Sequence, residues 1–190
     1  MTRLALLGIL VLAGPAAAQP GTQDDPPPPP SPPSALEEID RGFVAGGVLV
    51  GGDNFLHGAF TAEGGIRIAR APVWLHVAAM KGNAFDFAGG GDYERFTGGV
   101  EERGCSSPGA CLVLGFDVGI QRSTWMSVDE DPVEHHHGPI VAGKLGLDAG
   151  GDHVRFRAIL EIVAERDASN VAPTEWHAGL GLGLGLAYRL

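Results

Sequence analysis

Residues 179–190 read GLGLGLGLAYRL. Strict alternation places Leu180, Leu182, Leu184, Leu186, Tyr188 and Leu190 on one face of an extended strand, and Gly179, Gly181, Gly183, Gly185, Ala187 and Arg189 on the other. A helix would scatter the leucines around its circumference, and four glycines would cost it about 4 kcal/mol relative to alanine. The segment is a strand with one apolar face and one nearly bare face.

From Gly42 onward no helical periodicity competes with period-two segments of about ten residues, punctuated by turn residues. Eight strands are expected, at 43–52, 58–69, 73–82, 92–103, 111–123, 139–149, 153–165 and 175–190. Alternation is clearest in 153–165, where Val154, Phe156, Ala158, Leu160, Ile162 and Ala164 oppose Arg155, Arg157, Glu161 and Glu165. In 111–123, Leu112, Leu114, Phe116, Val118 and Ile120 oppose Gly115, Asp117, Gly119 and Gln121; in 58–69, Phe60, Ala62, Ile66 and Ile68 oppose Thr61, Glu63, Gly65 and Arg67. Segment 92–103, DYERFTGGVEER, carries charge on both parities and has no evident orientation. The connections alternate too: DNFLH, NAFDFAGGG, TWMSVDEDPVEHHHG and RDASNVAPT interleave with the tight turns RAP, GCSSPGA and GGD. An even number of up-and-down strands, with long loops at one end and short turns at the other, is the plan of a membrane-spanning barrel.

The same pattern would also suit a soluble barrel with its apolar face inward, as a secreted or periplasmic lipocalin-like carrier of an apolar ligand. Two features favour the outward orientation. The less apolar face is rich in glycine, which weakens a water-exposed strand but suits a crowded, narrow lumen. That face also mixes both signs: Glu63, Arg67, Asp117, Lys144, Asp148, Arg155, Arg157, Glu161, Glu165 and Arg189. Inside a lumen these charges pair, whereas facing lipid each costs about 2–4 kcal/mol at mid-depth. The expected fold is an all-β, eight-stranded antiparallel up-and-down barrel over residues 42–190, its leucines toward lipid and its charges forming a lumen network. Such a lumen is filled by side chains, so no wide pore is expected.

The first residues, MTRLALLGILVLAGPAAAQP, supply a positive residue at Arg3, an apolar run from Leu4 to Ala13 and a small-residue cleavage site at Ala16–Ala18, the parts of a signal peptide over 1–18. The run is too short to cross a membrane as a helix, which takes about 20 residues. Residues 19–41 begin with a Pro-rich spacer whose stretch Pro26 to Pro33 would span about 25 Å as polyproline helix. Ser34 and Glu37 stand at capping-box spacing, so a short helix over SALEEIDR is expected. The formal charge is −10, and loss of Arg3 makes it one unit more acidic. An acidic exported chain does not suit nucleic acid as a partner.

Cys105 and Cys111 flank SSPGA, and two cysteines across a Pro-Gly turn in an exported chain are expected to form a disulfide. The stretch DEDPVEHHHGP holds the one histidine run; in an extended segment His135 and His137 point the same way and could, with a carboxylate, hold zinc or copper. A solvated acidic loop is the simpler expectation. No cofactor is expected, because the glycine runs lack a strand–glycine loop–helix context. No catalytic site is expected either. Ser123, Ser127 and Ser169 have no histidine at informative spacing, G-x-S-x-G is missing, and His76 sits between apolar neighbours as an interior histidine would.

Over residues 43–190 the chain resembles the small eight-stranded outer-membrane proteins of the OmpA and OmpX type. Gly185, Tyr188 and Leu190 match the spacing of that family's C-terminal assembly signal, with leucine where phenylalanine is usual. The resemblance implies export through the periplasm to the bacterial outer membrane, with the barrel-assembly machinery and outer-membrane lipid as partners. It also implies both termini on the periplasmic side, and a structural, surface-interaction or binding role in the external loops, above all 124–138. Of the aromatic girdles such barrels carry, Trp176 and Tyr188 share the apolar parity, whereas Trp74 and Trp125 do not.

Overall fold

The computed structural model describes residues 41–52, 56–68, 71–85, 89–107, 109–127, 134–169 and 174–190. The signal peptide, the Pro-rich spacer and nearly all of the short helix expected before residue 42 lie outside them. Eight strands follow in order: β1 (Gly42–Gly52), β2 (Leu56–Arg67), β3 (Val73–Phe85), β4 (Gly89–Ser107), β5 (Ala110–Ser127), β6 (Glu134–Gly150), β7 (Val154–Ser169) and β8 (Glu175–Arg189). Each pairs antiparallel with its sequence neighbours, and β8 pairs back onto β1 to close the barrel. Leu190 N–H donates to the Gly42 carbonyl at 2.9 Å and Arg41 N–H to the Leu190 carbonyl at 3.2 Å, which seals the seam.

The register fixes the geometry. Gly42 pairs with Ile66, and the path continues through Leu75, Val100, Phe116, Gly143, Ile162 and Leu180 to Gly52 on the first strand again. One circuit thus advances from Gly42 to Gly52 along β1, a shear of ten. With strands spaced about 4.8 Å and a rise of about 3.3 Å per residue, eight strands at this shear tilt by about 41° and climb about 2.5 Å per residue along the barrel axis.

Strand bounds depart from the expected ones mostly at the long-loop end, although β4 also runs on to Ser107 at its short turn and β2 stops at Arg67, two residues early. β4 to β7 have 19, 18, 17 and 16 residues, against 11 to 13 in β1 to β3. Most of the surplus stands opposite the short turns, so at about 2.5 Å of climb per residue that rim is about 10 Å taller on one side. The expected long loop 124–138 is accordingly shorter, since Trp125 pairs with Glu134 and Thr124 with His135. Likewise Asn83 pairs with Asp92, and Arg166 with Trp176. Polar composition had marked these stretches as loop. The hairpins continue because each extra pair satisfies backbone groups that would otherwise need water. At the opposite end the turns are tight. Gly150 takes a φ of +152°, where a Cβ would lie 2.6 Å from the Val154 carbonyl oxygen, so only glycine fits this turn.

Candidate functional site

Polarity is reversed relative to a soluble barrel. Leu180, Leu182, Leu184, Leu186, Tyr188, Leu112, Leu114, Phe116, Phe156 and Ile162 are exposed on the outside. His76, Arg95, Glu101, Arg103, Asp117, Lys144, Asp148, Arg155, Arg157, Glu161 and Arg189 are buried inside. A carrier with its apolar face inward is excluded by this arrangement: Leu112, Leu114, Phe116, Phe156 and Leu160, which would have lined the pocket, all face out.

Taking a charge out of water costs several kcal/mol, so an interior this charged must pair internally. At the short-turn end Phe43 and Trp74 bracket the Arg103 guanidinium, at 4.1 and 4.8 Å from the ring centres. The Arg157 guanidinium also stands 5.0 Å from the Phe43 ring centre. Glu101 accepts from both Arg103 and Arg157, and Asp148 lies 3.5 and 3.4 Å from the same two guanidiniums. One level up, Glu63 takes the second arm of Arg157 at 3.1 Å. Asp117 then meets His76 Nε2 at 2.7 Å, Lys144 Nζ at 2.6 Å and the Thr97 hydroxyl at 3.1 Å. Higher still, Arg95 is bonded to Glu161 at 2.5 Å. Beside it and above it Leu49, Ala59, Met80, Ala84, Tyr93 and Trp125 form an apolar plug, with Tyr93 stacked on His57 at 4.6 Å. A cavity of about 50 Å³, bordered by Glu63, Lys144, Arg157 and Glu161, is open among these groups. That is room for a few waters.

Of the charges expected in the lumen, Glu63, Asp117, Lys144, Asp148, Arg157 and Glu161 join this network. Arg67 lies at the mouth, donating to the Ala71 carbonyl at 3.0 Å and lying 5.4 Å over Trp74. Arg155 and Arg189 approach the Cys111 sulfur. Trp74 and Trp125 face inward, as their parity required.

Arg95, Glu101 and Arg103 were not legible in the sequence, because β4 could not be oriented there. The structure turns Tyr93, Arg95, Thr97, Glu101 and Arg103 inward, and Phe96 and Val100 outward. The signal was present: on the outward parity the acids Asp92, Glu94 and Glu102 stand only at the ends, with apolar residues between them. Glu94 and Glu102 are eight residues apart, about 20 Å along the axis at this tilt. Lys81 pairs with Glu94 at 2.7 Å near the upper edge of that belt. Outer charge is thus confined to the edges, as an apolar band of about 25 Å requires.

Among the described residues, ligand atoms of Glu63, His76 and Glu101 lie within 4.8 Å of one another. Arg157, Arg103 and Lys144 already neutralise these groups, so a divalent cation would be set against three fixed positive charges. The residues do not fit a metal. His135 and His137 share the outer face of β6, as expected, paired across the sheet with Thr124 and Arg122. No third metal-ligating group joins them among the described residues. His136 faces the other way and meets Glu134 at 3.1 Å. The disulfide Cys105–Cys111 is formed, as a cross-strand pair at the end of the β4–β5 hairpin. On β8 Tyr188 faces out and Gly185 faces in, and Leu190, just beyond its end, is exposed.

A closed, eight-stranded, all-antiparallel barrel with an apolar exterior and a filled lumen is the fold of the small outer-membrane barrels. Among solved structures the chain is similar to Neisserial surface protein A, with a TM-score of 0.62 at 9% identity, over 78% of this chain and 96% of that one. It is also similar to Ail, the attachment invasion locus protein of Yersinia pestis, with a TM-score of 0.51 at 13% identity, over 80% and 99%. At such identities the likeness is one of fold. No protein-family model and no curated protein sequence matches the chain.

Proposed function

We propose that this chain is a bacterial outer-membrane barrel that acts without catalysis, as a structural element or as a surface for contact with partners at its taller rim. The observation that carries this reading is the inverted polarity, leucines outside and paired charges inside, which only a lipid surround makes stable. The short turns and both termini would face the periplasm. Gly185 and Tyr188 on the strand that closes the barrel, with Leu190 just past its end, would serve there as the signal read by the assembly machinery. With Phe43, Trp74, the ion network and the apolar plug stacked along the axis, the lumen would not conduct solutes. Function is then left to the upper ends of β4 to β7 and the segments joining them. Ail has been crystallised with the heparin analogue sucrose octasulfate. Here Asp92 and Glu94 share the rim with Lys81 and Arg122, which does not make a cationic seat for a polyanion.

The test is fractionation of cells expressing the chain, gel migration with and without boiling, and current recording in planar bilayers. Recovery in the outer membrane only with detergent, a heat-modifiable band and the absence of stable conductance steps are the expected results. Recovery in the soluble periplasm would overturn the proposal.

A further inference from the structure

Two cations of the lumen are aimed at a sulfur. Arg155 Nη1 donates to Cys111 Sγ at 3.0 Å, and Arg189 Nη2 stands 3.5 Å from the same atom. Cys111 is 1% exposed and both arginines are buried, whereas Cys105, its disulfide partner across the β4–β5 hairpin, is exposed. The bond therefore has unlike ends. One sulfur is open to solvent, and the other is shielded and faces two guanidiniums.

We propose that this disulfide is a thiol-exchange site of fixed polarity, in which Cys105 is the sulfur attacked and Cys111 the thiolate that leaves. Exchange requires a thiolate to approach one sulfur in line with the S–S bond while the other departs with the bonding electron pair. Attack on Cys111 Sγ would have to come from inside the barrel mouth, where Arg155 and Arg189 stand. Attack on Cys105 comes from solvent and drives the electron pair onto Cys111, where two fixed cations stabilise the anion. A leaving thiol whose anion is stabilised leaves faster.

The co-reactant is a dithiol, such as the paired cysteines of a thiol–disulfide oxidoreductase. Its thiolate forms a mixed disulfide with Cys105 and releases Cys111 as thiolate. Its second thiol, deprotonated, then displaces Cys105, so the dithiol is oxidised by two electrons and the hairpin disulfide is reduced by two. In the reverse direction the Cys105 thiolate attacks the partner's disulfide and the Cys111 thiolate resolves the adduct. In both directions the mixed disulfide resides on Cys105. This chemistry needs only the folded barrel and does not rest on the compartment its mouth faces.

The test uses the folded protein in detergent micelles, exposed to excess reduced glutathione, quenched with acid and mapped by mass spectrometry. The expected adduct is on Cys105, at least tenfold over Cys111. Its rate of formation is expected to fall several-fold in Arg155→Gln and in Arg189→Gln, each confirmed as folded by heat-modifiable migration. In Cys105→Ala, the remaining Cys111 thiol is expected to stay anionic to lower pH than Cys105 does in Cys111→Ala, as read by thiolate absorbance. If an arginine variant does not fold, the adduct map and the two cysteine variants decide alone. Adducts shared equally, adducts on Cys111, no exchange over hours, or rates and thiolate titrations indifferent to the arginines would each overturn the proposal.

Discussion

Arginine placed along the outer face of β8 reports directly on whether lipid surrounds the barrel. Tyr188 and Trp176 are the outward aromatics of this strand, twelve residues apart, which at about 2.5 Å of axial climb per residue separates them by about 30 Å. Leu182 lies midway, 53% exposed and about 15 Å from either. Leu186 lies about 5 Å inside the Tyr188 level, and Leu190 about 5 Å beyond it. A guanidinium at the midplane of a membrane barrel costs about 2–4 kcal/mol, falling to about 0–1 kcal/mol near the interface. Leu182→Arg should therefore lower the folding equilibrium constant about 30- to 700-fold, at 1.4 kcal/mol per factor of ten. Leu190→Arg should change it by less than about tenfold, and Leu186→Arg should fall between. Urea unfolding from phospholipid vesicles measures each value, with the matching alanine variant subtracted so that lost leucine packing cancels. A flat profile, or a cost at Leu190 equal to that at Leu182, refutes a lipid-facing β8.

Two further outcomes follow from the interior. Arg95 and Glu161 are each 1% exposed, so Arg95→Met leaves a buried carboxylate less well compensated and should cost about 3–5 kcal/mol in the same assay. The double variant with Glu161→Leu should cost well under the sum of the singles; strict additivity would show that the pair is not coupled. Gly65 and Gly64 are neighbours with opposite fates. A Cβ at Gly65 would lie 2.3 Å from Phe43 Cε1, whereas at Gly64 its nearest neighbour is the Phe43 carbonyl oxygen at 3.7 Å. Gly65→Val should destabilise by about 1–3 kcal/mol through overpacking, and Gly64→Val, on the lipid face, should not. Equal losses at both sites would point to strand propensity and not to the aromatic lid over Gly65.

How far a residue could be read depended on whether its signal was local. The Leu180–Leu190 alternation, the Arg155–Glu165 stripe and the turns GGD and RAP each carry their message within a few residues, because side-chain direction along a strand alternates whatever the partner. Strand number, strand parity and the pairing of Cys105 with Cys111 were legible for that reason. β4 was not, since a strand with acids on both faces resolves only when its ends are known to lie outside the lipid. The reach of β5 and β6 into the stretch that reads TWMSVDEDPVEHHHG was hidden as well. That pairing depends on a register set by the hairpin as a whole.

The sequence by itself determined that eight two-faced strands alternate with long and short connections, and that one face is apolar while the other mixes small and charged residues. Only the tertiary structure decided the shear of ten, and with it which charges meet. Lys144 reaches Asp117 on the adjacent β5 and, across the lumen, His76 on β3, and Glu101 gathers Arg103 from its own strand and Arg157 from β7. It also decided that Arg155 and Arg189 come to rest on the sulfur of Cys111, 44 and 78 residues away in the chain. Closure is the physical reason. A strand's two faces follow from its own residues, but which side chains share a level inside a cylinder follows from the stagger accumulated around all eight strands.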